Sequence, residues 1–246
     1  MTMPPIVRYE DNHVLVVDKP AGMLTQGDRT GDPSLVDWVA GYWKVKYAKP
    51  GNVFVGLVHR LDRPTSGLVL VARTSKAAGR LAEQFRVGSI LKTYLAVSEG
   101  SRTPEQGIWE DYLSKDEATN RVHVVANGDR GGQLARVRYA VGEWAAGRVG
   151  VILNPLTGRG HQLRVQLASR GLPIVGDAKY GARGRLLAAD GLPRIALHAA
   201  RLSFTHPTTG EPCEVHSPLP SDWPAGGSAS GPGRFDSSTP GEPPGR

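Results

Sequence analysis

A charged cluster that leads directly into an apolar run constrains the fold of this chain more than any other stretch. Three basic side chains, those of His59, Arg60 and Arg63, surround one carboxylate, Asp62. Turn-forming residues follow, and then comes the apolar run Leu68–Val71. A short apolar run bounded by turn residues predicts a buried β-strand. Asp62 is therefore expected at the entrance to such a strand.

Two interpretations of Asp62 follow from its neighbours. Cations nearby stabilise the charged form of a carboxylate, so Asp62 is a candidate nucleophile. A structural ion pair is the commoner reason for such a cluster. Arg60, Arg63 or the distant Arg164 would supply the cation that keeps Asp62 ionised. The sequence contains no Gly-x-Ser-x-Gly nucleophile elbow, so no serine nucleophile is expected.

The composition bounds the partners and the compartment. The 246 residues carry a formal net charge of +7, with an isoelectric point of about 9.7. Basic surfaces attract polyanions, which makes nucleic acid the expected partner. The single cysteine, Cys213, excludes an internal disulfide and a multi-cysteine zinc site. No apolar run approaches the ~18 residues of a membrane span, and no signal peptide precedes the first strand. We expect a cytoplasmic protein without a membrane partner.

Three segments are predicted to be helical. Apolar residues recur at helical spacing from Ser34, an N-cap candidate, to about Val45. A second helix is expected to begin at a Ser75 cap and to end at Gly88. A short third helix is expected over His161–Arg170. The basic loop that leads into this third helix suits an anion, although such charges are usually only solvated.

The remaining apolar runs are predicted to be strands joined mostly by hairpins. They lie near residues 6–18, 53–58, 68–71, 90–97, 101–141, 147–153 and 195–216. This pattern predicts the α+β type of α/β protein, with a mixed, largely antiparallel central sheet and flanking helices. One domain is expected over residues 1–220. Residues 221–246 are rich in Gly, Ser and Pro and are predicted to be a disordered tail.

Taken singly, the other candidate residues name no reaction. None of the histidines shows the His-Glu-x-x-His spacing or a comparable ligand pattern, so we expect no metal site. Tyr94 has the position of a core aromatic residue within a strand. Neither a Rossmann fingerprint nor a Walker loop is present.

Several segments together resemble the RluA family of RNA pseudouridine synthases. Residues 59–68, His-Arg-Leu-Asp-Arg-Pro-Thr-Ser-Gly-Leu, are similar to the catalytic signature of that family. The other similar segments follow the family's order along the chain: residues 10–22, 92–94, 158–164, 174–181 and 197–207. The chain departs from the family pattern at Pro64, where an acidic residue is common, and at Gly160, where threonine is common.

The resemblance implies the pseudouridine synthase fold and an enzyme that isomerises specific uridines in ribosomal or transfer RNA. It implies catalytic roles for Asp62 as nucleophile, Tyr94 against the target base and Arg164 as the partner of Asp62. It also implies substrate-binding roles for five residues: His59, Arg60, Arg63, His161 and Leu163. No cofactor is expected. The chain resembles short members of the family, without an N-terminal S4-type domain, and is expected to be a monomer.

Two other functions stay open at this point. The chain would also suit a catalytically silent RNA-binding or RNA-chaperone protein with the same fold, which shares the basic surface. An unrelated carboxylate hydrolase acting on an anionic small molecule is the third possibility. Steep salt dependence of RNA binding would separate the RNA proteins from the hydrolase.

Overall fold

A computed structural model of the chain describes residues 3–100, 106–145 and 147–224. Within these ranges the chain forms three α-helices and thirteen β-strands. The helices are α1 (Leu35–Lys46), α2 (Ser75–Arg86) and α3 (Gln162–Ala168). The strands are β1 (Ile6–Glu10), β2 (Val14–Lys19), β3 (Gly56–Leu57), β4 (Ser66–Ala72), β5 (Leu91–Ser98), β6 (Gln106–Asp116), β7 (Arg121–Val125), β8 (Gln133–Trp144), β9 (Arg148–Pro155), β10 (Leu186–Leu187), β11 (Pro193–Arg194), β12 (Leu197–Thr205) and β13 (Pro212–His216).

Eleven of the described strands form one long sheet, whose main path has the order β1-β2-β4-β12-β5-β9-β8-β6-β7. β13 pairs with β12, β3 pairs with β4, and β10 and β11 form a separate small hairpin. In the large sheet, the pairing of β4 with β12 is parallel, and the other described strand pairs are antiparallel. The prediction of a mixed, largely antiparallel sheet with flanking helices is confirmed.

The centre of the sheet is buried on both faces, which explains the unbroken apolar runs of β2 and β4. Successive strand residues point to opposite faces, so each run divides between two cores. The larger core contains Leu15, Val17, Val69 and Val71 together with Leu35, Val39 and Trp43 of α1. The second core contains Val14, Val16, Leu68 and Leu70 together with Ala77 and Leu81 of α2. The two helices therefore cover opposite faces of the same strands.

The two longer helices begin with side-chain caps. Ser34 and Asp37 form a reciprocal capping box at the start of α1, as the Ser34 prediction required. The predicted cap of α2 was wrong by one residue. The N-cap is Thr74, whose extended backbone lets its hydroxyl accept from the N–H of Ala77, whereas Ser75 is already helical.

Two predicted elements are shorter in the structure. The apolar run over 53–58 is a strand only at Gly56–Leu57, which pairs with the end of β4. β12 occupies the same edge of β4 at its start, so little of that edge is left for β3. α3 ends at Ala168 instead of Arg170, because the chain closes with a bond from the N–H of Leu172 to the carbonyl of Leu167.

The predicted tail overlaps the described residues only at 221–224. Asp222 forms an ion pair with the buried Arg194, and Trp223 packs against the larger core. The packed chain therefore continues a few residues past the predicted boundary at 220. The rest of the predicted tail, 225–246, lies outside the described residues, and the domain division stays a prediction. None of the helices in the described ranges has the length and apolar character needed to cross a bilayer.

Candidate active site

The loop that carries Asp62 leads into β4, and β12 separates β4 from β5, the strand that carries Tyr94. β4 pairs with β12 through Gly67 and Ala199, and β12 pairs with β5 through Ala199 and Tyr94. Gly67, Ala199 and Tyr94 thus form one row across three strands. Gly67 has a φ of 114°, and a Cβ there would lie 2.4 Å from the Ala199 carbonyl oxygen. Only glycine allows β4 to start this close to β12.

Asp62 and Arg164, 102 residues apart, form an ion pair in which Nη1 of Arg164 donates to Oδ2 of Asp62 over 2.9 Å. This is the contact expected between them. Arg164 also donates from Nε and Nη2 to the two oxygens of Asp177, over 2.7 and 2.8 Å. The side chains of Asp62, Arg164 and Asp177 are 23%, 6% and 1% exposed. Asp62 is therefore the member of this group that a substrate can reach.

The guanidinium of Arg164 is charged despite its burial. Burial alone opposes that charge, but hydrogen bonds to Asp177 and the charges of Asp62 and Asp177 outweigh it and raise the pKa of Arg164. Neither Arg60 nor Arg63 forms an ion pair with Asp62 among the described residues. Of the three cations left open by the sequence, Arg164 is the one that contacts the carboxylate.

The segment from Lys19 to Thr25 holds the backbone of the Asp62 loop. Gly22 and Arg63 bond twice, from the Gly22 N–H to the Arg63 carbonyl and from Nε of Arg63 to the Gly22 carbonyl. Nζ of the fully buried Lys19 donates to three carbonyl oxygens, those of Pro20, Met23 and Arg63. The loop before β4 is therefore fixed by a segment about forty residues earlier in the chain.

The turn itself closes between Asp62 and Thr65, whose N–H donates to the Asp62 carbonyl over 3.0 Å. Pro64 lies within this turn, and its carbonyl accepts from the N–H of Ile195 over 3.0 Å. Pro64 therefore joins the loop to the segment that leads into β12. Nothing in the structure explains the choice of proline at this position.

Tyr94 is a neutral phenol at ordinary pH. Burial raises its pKa, and the charge of Asp62 adds to the effect. Its side chain belongs to the larger core and is only 9% exposed. A buried neutral phenol can pack against an aromatic base and donate a hydrogen bond, but in this state it is not a base.

His161 lies between Asp62 and Tyr180. Its Nδ1 is 2.7 Å from the Tyr180 hydroxyl, and its Nε2 is 4.0 Å from Oδ2 of Asp62. Burial lowers the pKa of His161, and the positive charge of Arg164 acts in the same direction against the attraction of Asp62. The ring is therefore neutral near pH 7, so its contact with Asp62 is not an ion pair. His161 has a φ of 52°, so it stands before α3 in a left-handed conformation.

Three of the predicted substrate-binding residues, Arg60, Arg63 and Leu163, differ in their exposure to solvent. Arg60 is exposed, and it makes no ion pair within the part of the chain that the structure describes. Arg63 is 41% exposed and pairs with Asp32 over 2.7 Å. Leu163 is buried in the larger core. Their roles in binding stay predictions.

His59 contacts other parts of the protein in the structure, and its predicted role in substrate binding stays a prediction. Its Nε2 accepts from the N–H of Leu70 over 2.8 Å, and its ring packs on Phe85 at 4.8 Å between centroids. Burial lowers the pKa of His59 to about 3, so the ring is a neutral acceptor. The hydrogen bond from the N–H of Leu70 in β4 occupies Nε2 of His59, so this nitrogen is not free to accept from a ligand.

Sequence reasoning missed Asp177, Lys19, Thr25 and Tyr180. Tyr180 packs on the guanidinium of Arg164, with 5.0 Å between the ring centroid and the guanidinium carbon. A carboxylate one glycine after the apolar run 172–175 was the available signal for Asp177, since a buried charge requires a partner. The pairing itself was not readable, because thirteen residues and a turn separate Asp177 from Arg164. Among the described residues, no cluster of three or more His, Cys, Asp or Glu side chains is suited to a metal ion.

Comparisons with known proteins bear on the same region. Residues 13–169 match the family model described as RNA pseudouridylate synthase. Ribosomal large subunit pseudouridine synthase C of Escherichia coli O6:H1 is 36% identical over 224 residues, covering 87% of this chain and 66% of that protein. The chain thus spans slightly less than two thirds of the length of this curated relative.

Two solved human structures share the fold. RNA pseudouridylate synthase domain containing 1 is 30% identical with a TM-score of 0.66, over 88% of this chain and 84% of that one. RNA pseudouridylate synthase domain containing 4 is 24% identical with a TM-score of 0.71, over 87% of this chain and 88% of that one. At 24% identity, the second comparison speaks for the fold alone.

Proposed function

Because the chain belongs to the RNA pseudouridylate synthase family, we propose that it isomerises specific uridines to pseudouridine in structured RNA. The observation that carries this proposal is the ion pair of Asp62 with Arg164, in which only the carboxylate is open to a substrate. A relative with 36% identity is named for the large ribosomal subunit, which makes large-subunit ribosomal RNA the first substrate to test. Transfer RNA is the second.

In the proposed reaction Asp62 is the nucleophile. It attacks either C1′ of the ribose or C6 of the uracil. The N1–C1′ bond breaks, the base turns, and a C5–C1′ bond forms. The bond between Asp62 and the substrate then breaks and restores the carboxylate, and C5 loses one proton while N1 gains one. The sum is an isomerisation without net oxidation, so the reaction consumes no oxidant. Arg164 keeps Asp62 ionised and oriented.

The other residues position the base and the RNA. A stacked base is out of reach, so the target uridine must leave the helix or loop stack. Tyr94 packs against the extruded uracil as a neutral phenol. The exposed Arg60 contacts the RNA beside the site, and the remaining basic surface binds phosphates in a salt-dependent manner. The monomeric state and the cytoplasmic location expected from the sequence stay predictions.

The test is to incubate the protein with unmodified large-subunit ribosomal RNA and transfer RNA at low salt and to map pseudouridine. Wild type is expected to modify a small set of uridines. Asp62→Asn is expected to lower turnover by about 10³-fold or more while RNA binding persists. Asp116→Asn, which removes an exposed carboxylate from the end of β6, is the matched control and is expected to retain activity.

Two results would count against the proposal. Absence of product on every RNA would remove the reaction and favour the silent RNA-binding protein. Full activity of Asp62→Asn would leave the reaction but remove Asp62 from its role.

A further inference from the structure

Arg164 binds its two carboxylates in different ways. The Nε–Nη2 edge meets both oxygens of Asp177, over 2.7 and 2.8 Å, whereas Nη1 alone meets Asp62, over 2.9 Å. A two-point contact fixes the plane of the guanidinium, and a one-point contact does not. The orientation of Arg164 is therefore set by Asp177, and the bond to Asp62 follows from it.

Asp177 is held independently of any substrate. Its side chain is 1% exposed, so RNA cannot reach it. Its backbone N–H donates to the Ile174 carbonyl, and its own carbonyl accepts from Tyr180 and Ala182. The preceding Gly176 has a φ of 87°, and a Cβ there would lie 2.6 Å from the Arg194 carbonyl oxygen. A tight turn thus presents the carboxylate to Arg164 in a fixed place.

The charges of this group change during the proposed reaction. When an oxygen of Asp62 bonds to the uridine, its negative charge passes to the uracil. Attack at C1′ leaves the electron pair of the broken N1–C1′ bond on N1, and attack at C6 moves the electron pair of the C5=C6 double bond onto C5 and, by conjugation, O4. In both cases the side chain of Asp62 becomes a neutral ester. A buried guanidinium that loses its counterion is costly.

From this geometry we infer that Asp177 is the permanent counterion of Arg164 and a positioning residue for the attack by Asp62. It keeps Arg164 paired and in one plane while the charge of Asp62 is absent. Asp177 touches neither the substrate nor the reacting atoms. The inference rests on the proposed function, because it assigns a role within that reaction.

The test compares Asp177→Asn with Asp111→Asn. Asp111 also anchors α3, by a partly buried contact in which Oδ2 accepts from Gln166 over 2.7 Å, and its carboxylate pairs with Arg170. Asp111 makes no contact with Arg164, so it controls for loosening of the helix. Each variant is measured for single-turnover rate at saturating enzyme, for RNA affinity and for urea unfolding.

Asp177→Asn is expected to slow the single-turnover step by about 10²-fold, with RNA affinity within threefold of wild type. Asp177→Glu, which keeps the charge, is expected to recover at least tenfold of that loss. Asp111→Asn is expected to lose stability but to keep its rate within about threefold. If Asp177→Asn does not fold, Asp177→Ser, which admits water beside Arg164, is measured in the same way with the same expectation.

The inference is overturned if Asp177→Asn keeps its rate within threefold of wild type. It is also overturned if Asp111→Asn loses as much rate as Asp177→Asn, since the effect would then come from α3 alone. Failure of the proposed function looks different, because wild type itself would then form no pseudouridine.

Discussion

Thr25 and Leu61, 36 residues apart, exchange two hydrogen bonds through one hydroxyl group. Oγ1 of Thr25 donates to the Leu61 carbonyl over 2.7 Å and accepts from the Leu61 N–H over 3.2 Å. Both residues are buried, at 4% and 5% exposure. The Thr25 hydroxyl thus satisfies both the N–H and the carbonyl of Leu61, the residue directly before Asp62.

Thr25→Val keeps the shape of the side chain and removes this hydroxyl. The Leu61 N–H and carbonyl are then buried without partners, which is expected to cost about 1–3 kcal/mol of unfolding free energy. Turnover is expected to fall as well, since Asp62 follows directly. Urea unfolding and single-turnover rates check this. Thr30→Val, in an exposed loop, is the control; equal stability of the two variants would contradict the prediction.

Lys19 is expected to make the unfolding free energy depend on pH above pH 7. Burial lowers its pKa to about 7 from an ordinary 10.5. Between these values the unfolded chain binds a proton that the folded chain lacks, so this group makes stability rise with pH, by up to about 1.4 kcal/mol per pH unit. Below pH 7 its penalty is fully present.

Lys19→Met removes that contribution. Between pH 7 and pH 10 the unfolding free energy of wild type is therefore expected to rise relative to that of Lys19→Met. Urea unfolding across this range measures the difference. Lys76→Met, at an exposed site on α2, should keep the wild-type slope. A slope in Lys19→Met equal to that of wild type would exclude Lys19 as its source.

His59 gives the stability a dependence on acid pH. Its pKa is lowered by burial to about 3 from an ordinary 6.5, so the unfolded chain binds the extra proton between these values. Its contribution therefore weakens as pH falls from 6.5 towards 3. His59→Phe also leaves the Leu70 N–H without its acceptor.

At pH 7, His59→Phe is expected to lose about 1–3 kcal/mol of unfolding free energy, and the gap to wild type is expected to narrow on acidification. Urea unfolding between pH 4 and pH 7 measures both effects. The exposed His123 of β7 provides the control variant, His123→Phe. A gap that stays constant with pH would show that His59 does not titrate in this way.

Arg60→Gln tests the predicted contact with RNA. Loss of one phosphate contact is expected to reduce the slope of log affinity against log salt by about one unit and to weaken binding. Binding of a substrate RNA is measured from 50 to 300 mM salt. Lys76→Gln, which removes an exposed charge from α2, is expected to keep the wild-type slope. An unchanged slope in Arg60→Gln would place Arg60 away from the RNA backbone.

The sequence predicted best where one local pattern decides the outcome. The apolar run after Asp62 specified β4, and the Ser34 capping box specified the start of α1. Tyr94 and Arg164 were assigned to the Asp62 site by the resemblance of separate motifs, since no periodicity links residues so far apart. The structure brings Arg164 to Asp62 and aligns Tyr94 with the strand that follows it.

The sequence predicted less where a partner in space decides the role of a residue. In the sequence His59 belongs to a cationic cluster, but in the structure its ring is a neutral acceptor for the N–H of Leu70. The sequence assigned no role to Asp177 within residues 174–181, but in the structure it forms a buried ion pair with the Nε–Nη2 edge of Arg164. In both cases the partner comes from another element, and only the packing of the two elements reveals it.

The position of β12 has a consequence for how this protein is made. β12 is synthesised after β4 and β5 but lies between them, and it separates the loop of Asp62 from Tyr94. While the first 196 residues leave the ribosome, both strands exist without the strand that sets their spacing. Pairings between segments this distant form slowly. A nascent chain can therefore display the complete nucleophile motif long before it possesses an active site.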